Sequence, residues 1–438
     1  MARALTAKDA HTLMNALVRQ ATGQSALSAV DASSFISCGE TVLATGKENT
    51  FNALSLVIGR TLVASRPYKA RLAILNTLNT GVYSHRIRKI SYYAKDALPA
   101  GHTNSDLFTN HAQGFTAGEN ESGGTPQSTK SQYYQEQAMP LEVNFAGSSV
   151  WQDAITMYED VLEQAFRSED AFNNFIAGIL TEHANDVESQ REAFTRMALC
   201  SEIAKRYYLA TSVNNYIPDG AINMTTAFNT RFGTNYTSAA LRSTYLNDFL
   251  KFLVSTVKEI SDRMTERSTH YHDAMEKTVD GVKYHILRHT PYDRQRILMY
   301  GPLLRDAEAW VMPEIFRPEY LDMDRQFEKV EFWQSNEADA DRPKIKFNSA
   351  FLNHSNGIQS TTGNQTLDYV IACVYDVDAL MVDMQLERAT VSPLEARKFY
   401  RTSWLSFNRN VIGDQTENFV VLYMDDSDVV VDDGGDGE

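Results

Sequence analysis

The sequence predicts an α+β protein, in which long helices and groups of strands occupy different parts of the chain. A one-sided apolar pattern over residues 168–207 predicts a single long helix. Apolar and polar residues alternate over residues 139–145, which is typical of a half-buried strand. Short apolar runs separated by prolines follow between residues 282 and 374, and they predict several more strands.

The N-terminal 50 residues are predicted to form an arm. Thr6 can cap a short amphipathic helix at its start. The apolar side of this helix would carry Leu13, Met14, Leu17 and Val18. Residues 21–50 are small and polar, so we interpret them as an arm or a linker. Hydrophobicity returns over residues 51–80, where the periodicity does not distinguish a strand from a short helix.

Residues 81–146 are predicted to form an extended two-stranded arm. The first strand would carry Arg86, Arg88 and Lys89 among spaced apolar residues, and residues 139–145 would form the returning strand. The stretch between them is rich in Gly, Ser, Thr, Asn and Gln and is longer than loops inside compact domains usually are. Because two strands alone are marginally stable in water, the arm needs a surface to lie on, which its own domain need not supply.

Two helices are predicted after the arm. The first covers residues 151–166, and its apolar face would carry Trp151, Ile155, Tyr158, Leu162 and Phe166. The second begins after Ser168, a suitable N-cap, extends to about Tyr207, and would be roughly 55 Å long. Its apolar stripe consists of Phe172, Ile176, Ile179, His183, Val187, Gln190, Phe194, Met197 and Ser201. Because its other face is polar, we interpret this helix as a spine along a flattened body.

Residues 208–385 are predicted to form a second α+β region. Ser238 can cap a helix that extends to Met264. The strand-like runs are residues 282–287, 297–304, 327–333, 345–347 and 369–374. The closing elements would be a helix near residues 393–407, a turn at Gly413-Asp414 and a strand over residues 419–424.

The composition argues against several function classes. The net charge is −15, and the last fourteen residues hold seven acids and no base, so the rest of the chain holds −8. We expect this tail to be disordered. An acidic protein is a poor candidate for nonspecific nucleic-acid binding, because phosphate contacts need Lys and Arg. The apolar runs are too short to span a membrane, and the start of the chain is unlike a signal peptide.

The sequence motifs predict no cofactor and no enzymatic activity. The chain lacks a phosphate-binding glycine loop, a dinucleotide-binding glycine motif and a serine-nucleophile motif. The three cysteines are widely scattered, which fits a reducing compartment and forms no zinc motif. The sequence therefore favours a structural protein over an enzyme.

Asp376 and Asp378 form the best candidate for a metal site. Together with Asp383 they could hold Mg²⁺. No glycine-rich or basic phosphate partner stands nearby in the sequence, so we favour the alternative, a tight turn between two strands, where Asp is common. His270 and His272 lie two residues apart and would point away from one another on a helix, which does not suit a shared metal.

Four stretches follow one another in an informative order. They are FNALSLVIGRTLVASRPYKARLAIL, QAMPLEVNF followed by SVWQDAITMYEDVLEQAFRSEDAFNNFI, RQRILMYGPLLRDA, and VIACVYDVDALMVDMQLERATVSPLEARKFYRTSWLSFNRNVIGDQTENFVVLYM. They resemble, in turn, four parts of the major capsid protein of tailed bacteriophages, which has the Hong Kong 97 fold. These parts are the segment before the extended loop, the return strand with the start of the spine helix, the axial-domain strand and the closing stretch. The likeness covers about residues 50–424 and is greatest to short-tailed phages.

The resemblance implies a division of the chain into named parts. They are an N-terminal arm (1–50), the first part of a peripheral domain (51–80), an extended β-hairpin loop (81–146), the peripheral domain with its long spine helix (147–207), an axial domain (208–385), closing strands of the peripheral domain (386–424) and an acidic disordered tail (425–438). It also implies a subunit that self-assembles through hexamers and pentamers into an icosahedral shell around double-stranded DNA. A portal protein and a scaffolding protein would be partners, and the virion shell would form in the host cytoplasm without a membrane.

We expect contacts between subunits at the extended loop. Arg86, Arg88 and Lys89 would pair with acids of an adjacent spine helix, since such pairs fix the register of an interface. The apolar residues that would contact a neighbour are Met139, Leu141, Val143 and Phe145. Two alternatives remain, an encapsulin-like shell with protein cargo and a metal-dependent enzyme that uses Asp376 and Asp378.

Overall fold

The computed structural model describes residues 7–23, 28–46, 49–50, 52–54, 76–77, 86–95, 139–146, 149–167, 169–212, 216–279, 282–310, 327–335, 341–354 and 357–427. Helices and strands both contribute to the fold, as the sequence predicts. The helices are α1 (Ala7–Thr22), α2 (Ala32–Ala44), α3 (Glu159–Ala165), α4 (Glu169–Thr211), α5 (Met224–Phe232), α6 (Ser238–Ser243), α7 (Leu246–Met264) and α8 (Gly301–Trp310).

The strands lie mostly in the second half of the chain. They are β1 (Asn76–Thr77), β2 (Arg86–Tyr92), β3 (Ala94–Lys95), β4 (Pro140–Ala146), β5 (Ser149–Tyr158), β6 (Ala221–Asn223), β7 (Lys277–Val279), β8 (Val282–His285), β9 (Gln295–Tyr300), β10 (Phe327–Val330), β11 (Ile345–Phe347), β12 (Ala350–Asn353), β13 (Gly357–Ser360), β14 (Gln365–Leu367), β15 (Tyr369–Asp376), β16 (Leu380–Val391), β17 (Tyr400–Gly413) and β18 (Phe419–Met424). Two of the sheets they form carry the main cores of the described chain.

A sheet of five described strands lies at the centre of the larger core, in the order β10-β9-β15-β18-β6. β15 is antiparallel to both neighbours, whereas β10 pairs parallel with β9 and β6 with β18. β18 is buried along its whole length and β15 from Val370 onward, which explains their unbroken apolar sequences. Helices α4 and α7 contribute Leu199, Ile203, Leu253 and Val257 to the same core.

A sheet of four described strands, in the order β1-β16-β17-β5, supports the second core. β17 lies between β16 and β5 and is antiparallel to both. Leu405 on β17 and Phe166 after α3 join a cluster with residues of α1, α2 and the start of α4. At its centre the rings of Phe35 and Phe172 meet edge to face, with their centroids 5.4 Å apart. The N-terminal helices are therefore packed on this sheet.

Residues 32–44 form helix α2, so this part of the segment that we interpreted as an arm or a linker is helical. Asp31 caps the helix: its carboxylate accepts the Ser34 backbone N–H at 2.8 Å, and the Ser34 hydroxyl accepts the backbone N–H of Asp31 at 2.9 Å. The buried face of the helix consists of Phe35, Cys38, Gly39 and Val42. A Cβ on Gly39 would lie 3.2 Å from the ring of Phe166, so the small residues that suggested a linker permit close packing instead.

Two segments that we predicted as helices are strands. Residues 151–158 lie in β5, and helix α3 begins only at Glu159. The helix predicted near residues 393–407 is also wrong, because β17 begins at Tyr400. Both segments are rich in aromatic and β-branched residues, which favour strands, and the two strands pair with Tyr158 opposite Tyr400. This long-range pairing outweighs the helix-like spacing of their apolar residues.

Helix α4 confirms the predicted long helix and extends it to Thr211. Its 43 residues correspond to about 65 Å. The expectation of a polar face opposite one apolar stripe was wrong for its C-terminal half, where Glu202, Lys205 and Arg206 are buried while the stripe residue Met197 is 46% exposed. The buried charges of α4 are tolerated because they pair with one another.

Among the described helices, α4 included, none is both long enough and apolar enough to cross a bilayer.

The strand predicted at residues 419–424 forms as β18, but it lies in the sheet β10-β9-β15-β18-β6. β18 sits between β15 and β6, so it does not return to the sheet that contains β5. The predicted strand 297–304 is correct only to Tyr300, because helix α8 begins at Gly301. The domain boundaries themselves stay a prediction.

The helix predicted from Ser238 to Met264 is divided into α6 and α7. Thr237, and not Ser238, is the N-cap, because its hydroxyl accepts the backbone N–H of Ala240 at 3.3 Å. Ser238 instead donates to the carboxylate of Asp426, from its backbone N–H at 2.6 Å and its hydroxyl at 2.9 Å. This contact fixes the start of the C-terminal tail beside α6.

Candidate intersubunit surface

The candidate surface is built on a two-stranded ribbon, the antiparallel pair β2–β4. It extends from Arg86 opposite Ala146 to Tyr92 opposite Pro140. Among the described strands, β2 and β4 pair only with each other. The alternation predicted for residues 139–145 is confirmed, since the odd-numbered side chains are half-buried and the even-numbered ones exposed. One side of the ribbon therefore faces the body of the chain, and we call the opposite one the outer side.

The outer side of the ribbon combines one ion pair with two exposed apolar side chains. The Arg88 guanidinium donates to the Glu142 carboxylate across the ribbon at 2.6 Å. Ile90 is 49% exposed and Tyr92 is 65% exposed. Two large apolar side chains that stand side by side make this side of the ribbon a candidate surface for contact with another molecule.

The inner side of the ribbon is held by its own chain. The Lys89 ammonium contacts the carboxylates of Asp414 and Glu417. The Arg288 guanidinium donates to the Ser91 hydroxyl at 2.7 Å and lies 3.2 Å from the Glu417 carboxylate. The ribbon is therefore anchored in a fixed direction before any neighbour binds.

The residues predicted to contact a neighbour are divided between the two sides. Lys89 lies opposite Val143, so the half-buried apolar residues of β4 share its inner side. These residues are Met139, Leu141, Val143 and Phe145. Arg88 lies on the outer side, and the side chain of Arg86 is outside the described part of the chain, as is the tip at residues 96–138. The role of all seven residues between subunits stays a prediction.

Residues 414–418, which we call the closing loop, connect β17 to β18 and are all buried. Arg206 of α4 donates to the backbone carbonyls of Asp414 at 2.6 Å and Gln415 at 3.3 Å. The same guanidinium pairs with Glu202, one turn earlier on α4, at 2.8 Å. The long helix thus holds the backbone of the closing loop, while the side chains of that loop hold the ribbon.

The two carboxylates that contact Lys89 differ in their electrostatics. Burial favours the neutral form of Asp414, but the charge of Lys89 and hydrogen bonds from Lys89 and Thr416 outweigh burial and lower its pKa. Burial raises the pKa of Glu417, and the charges of Lys89 and Arg288 offset this only in part. Asp414 is therefore the stronger partner of the ribbon lysine.

Asp376 is the last residue of β15 and Asp378 lies in the turn that leads to β16, which confirms the turn interpretation. The Asp376 carboxylate accepts the Thr290 hydroxyl at 2.8 Å and the Asp378 backbone N–H at 2.9 Å. The Arg294 guanidinium contacts the carboxylate of Asp378. The side chain of Asp383 is outside the described residues, and within those residues no group of three His, Cys, Asp or Glu could hold a metal ion.

His270 and His272 lie in bends after α7, and each has different partners. His270 is 3.1 Å from the carboxylate of Asp219. His272 is fully buried, and its ring lies 2.8 Å from the Ile286 carbonyl and 3.0 Å from the Asn418 side chain. Burial lowers the pKa of His272 to about 4, so its ring is neutral at pH 7.

A second exposed surface, which the sequence analysis missed, lies on the outer face of β5 and β17. The rings of Tyr158 and Tyr400 meet edge to face at 5.9 Å. Next to them the hydroxyls of Thr156 and Thr402 are 3.1 Å apart, and Trp404 is 39% exposed. We call this the aromatic face. It was missed because both strands were predicted as helices, although their aromatic and Thr content was a signal for strands.

No protein-family model matches this chain, and no curated protein sequence matches it. In structure the chain is similar to the capsid of Staphylococcus phage Andhra, with 10% identity, coverage of 81% of this chain and 84% of that chain, and a TM-score of 0.44. It is similar to the structure of the head fiber and inner core protein gp22 of native bacteriophage P68, with 9% identity, coverage of 80% and 83%, and a TM-score of 0.48. It is also similar to the capsid of Cyanophage P-SCSP1u, with 11% identity, coverage of 80% and 85%, and a TM-score of 0.38.

Proposed function

We propose that this chain is a major capsid protein, the structural subunit that self-assembles through hexamers and pentamers into an icosahedral shell enclosing a viral double-stranded DNA genome. The observation that carries the proposal is the ribbon β2–β4. It is anchored on its own chain by Lys89 and Ser91, and it presents Ile90 and Tyr92 on its outer side. The sequence resemblance to capsid proteins of tailed phages supports the same function.

The energetics of the ribbon favour contact with a second copy. The chain itself already holds the inner side of this pair of strands, so a neighbour can add burial only on the outer side. Ile90 is 49% exposed and Tyr92 is 65% exposed. Burying the remainder against a neighbour would contribute roughly 1 kcal/mol for each side chain. The contact is weak by itself, which suits a subunit that must find its correct position reversibly.

The aromatic face adds a second exposed surface on the other sheet. It displays Tyr158, Tyr400 and Trp404, a type of side chain that is enriched at protein interfaces. In a closed shell each subunit makes several such contacts at once, so many weak contacts give a strong assembly. Obligate interfaces of this kind bury roughly 2,000 Å² or more in total.

The net charge of −15 fits a container whose DNA must move during packaging. Few of its surfaces would hold phosphate groups tightly, because phosphate contacts need Lys and Arg. A portal protein and a scaffolding protein are further partners under this proposal, and the shell is part of the virion after assembly in the host cytoplasm. The subunit acts structurally and uses no cofactor.

The test is the particle that the purified full chain forms. Sedimentation velocity and negative-stain electron microscopy over a range of protein concentrations should show rings of five or six subunits or closed shells. A protein that stays monomeric at every concentration would contradict the proposal. The double variant Asp376→Asn/Asp378→Asn should form the same particles, whereas a metal-dependent enzyme would stay small and lose activity. Shells that keep a second protein inside them through purification would support the encapsulin-like alternative.

A further inference from the structure

An open pocket of about 510 Å³ lies between α5, α7 and the segment that joins them. Its aromatic lining residues are Phe228, Phe232, Tyr236, Tyr245 and Phe252. The rings of Tyr236 and Tyr245 are stacked with centroids 4.0 Å apart, and Phe232 is 54% exposed. A concave aromatic surface of this kind is typical of a binding site for an apolar segment.

The lining also carries charge of one predominant sign. Arg231 and Lys251 contribute two positive charges, against one negative charge from Asp248. The guanidinium of Arg231 lies 5.9 Å from the centre of the Phe252 ring, so positive charge stands directly beside the aromatic surface. The pocket therefore favours a ligand that combines apolar side chains with flanking acids.

The C-terminal tail of the chain begins beside this pocket. The Asp425 carbonyl accepts from the Asn223 side chain at 3.0 Å, and Asn223 is the N-cap of α5. The Asp426 carboxylate accepts two hydrogen bonds from Ser238, which lies two residues after the pocket residue Tyr236. The start of the tail is thus fixed between the N-cap of α5 and the first residue of α6, which belongs to the segment that joins α5 to α7.

The sequence of the tail matches the chemistry of the pocket. Val429, Val430 and Val431 form an apolar triplet, with Asp428 before it and two further aspartates after it. Four extended residues span at most about 14 Å, so Val430 can lie that far from Asp426. Residues two apart, such as Tyr236 and Ser238, lie at most about 7 Å from one another. The tail is therefore long enough for Val430 to extend from the Asp426–Ser238 contact to the pocket residue Tyr236.

We propose that the segment Val429–Val431 docks in this aromatic pocket of its own chain, with its flanking aspartates facing Arg231 and Lys251. The inference goes beyond the shell function and does not depend on it. A docked tail would cover the exposed ring of Phe232 and would close the pocket to other acidic, apolar segments.

Disulfide trapping in the full-length protein tests the proposal. In the variant Ser255→Cys/Val430→Cys, the new pair joins the pocket lining to the centre of the triplet. The matched control is Ser243→Cys/Val430→Cys, because Ser243 is exposed and lies on α6, whose first residue already binds the tail. The three native cysteines are buried and unpaired, so they do not compete.

We expect the pocket pair to form an intrachain disulfide at least tenfold faster than the control pair, measured on non-reducing gels. Adding Val429→Asp and Val431→Asp to the pocket pair should remove this advantage, because the triplet would no longer be apolar. Equal rates for both pairs, no disulfide at Ser255→Cys, or disulfides that join two chains would each overturn the proposal. The added variants lie in the tail, so the fold of the body is common to all the proteins compared.

Discussion

Lys89 on the ribbon forms an ion pair with Asp414 in the closing loop, although the two residues lie 325 positions apart in the sequence. The Asp414 side chain is 2% exposed and that of Lys89 is 26% exposed. Because the pair is largely removed from water, loss of one partner costs much more than at a surface. The pair joins the inner side of the ribbon to the segment that connects the two main sheets.

Replacing Lys89 by Met should destabilise the protein. The variant leaves the buried carboxylate of Asp414 without its cation, and we expect the free energy of unfolding to fall by about 3 kcal/mol. Urea titration followed by circular dichroism measures this change. The control is Arg88→Met, on the same strand as Lys89, which removes an exposed ion pair with Glu142 of β4 and should cost about 0.5 kcal/mol or less. Similar losses in both variants would show that Lys89 is not an anchor.

The parts of the fold that sequence predicts well are those with a strong local pattern. The long helix α4 follows from its apolar spacing, and the returning strand of the ribbon follows from the alternation over residues 139–145. β18 follows from its unbroken apolar run, although its sheet does not. Local patterns define an element, whereas the partner of that element depends on residues far away in the chain.

The closing loop shows why the rest could not be predicted. Its sequence, Asp-Gln-Thr-Glu-Asn, is typical of a solvent-exposed turn, yet all five residues are buried. Their burial depends on Arg206 and Lys89, which lie hundreds of residues earlier. The positive partner Lys89 was identified from sequence as a contact residue, but the carboxylates that bind it were expected in a neighbouring subunit.

A second prediction concerns Gly413, which precedes the closing loop. A Cβ there would lie 2.5 Å from a carboxylate oxygen of Glu202 and 3.1 Å from the Lys205 ammonium. Both side chains are buried in the ion-paired cluster of α4 and cannot move aside freely. Gly413→Ala should therefore lower the free energy of unfolding by roughly 1–3 kcal/mol, measured by urea titration.

The matched control for this variant is Gly301→Ala. Its Cβ would lie 3.1 Å from the Glu331 side chain, which is partly exposed and can rotate away. Because Gly301 is the first residue of α8, Ala also suits its helical conformation better than Gly. We expect no loss of stability at this position. A Gly413→Ala protein as stable as the Gly301→Ala protein would mean that the α4 cluster is less rigid than its burial indicates.

His272 should make the stability of the protein depend on pH. Its pKa is lowered from 6.5 to about 4, chiefly by burial, so the folded state resists protonation that the unfolded state accepts. The stability that the protein gains by keeping His272 neutral is complete above pH 6.5 and is lost as the pH falls toward 4. Below pH 4 this group causes no further change in stability. The full loss is on the order of 3 kcal/mol. His272→Gln should flatten this part of the stability curve but leave its slope above pH 6.5 unchanged, and an equally steep fall in the variant would exclude His272 as its source.

The outer side of the ribbon provides the sharpest test of assembly. Ile90→Asp/Tyr92→Asp places two charges where we expect a neighbouring subunit to bind, and burying unpaired carboxylates there would cost several kcal/mol. Both side chains are exposed in the single chain, so the circular dichroism spectrum and the urea midpoint should stay near those of the unmodified protein. Sedimentation velocity should show monomers at concentrations where the unmodified protein forms rings or shells.

The control for this assembly test is Ile358→Asp, which changes an exposed apolar residue outside the ribbon. It lies on β13, which pairs with β12 among the described strands. We expect this variant to assemble normally, because its single charge lies outside both surfaces that are proposed to bind a neighbour, the ribbon and the aromatic face. Normal shells from the ribbon variant would mean that Ile90 and Tyr92 remain exposed to solvent in the particle. The ribbon would then no longer support the proposed function.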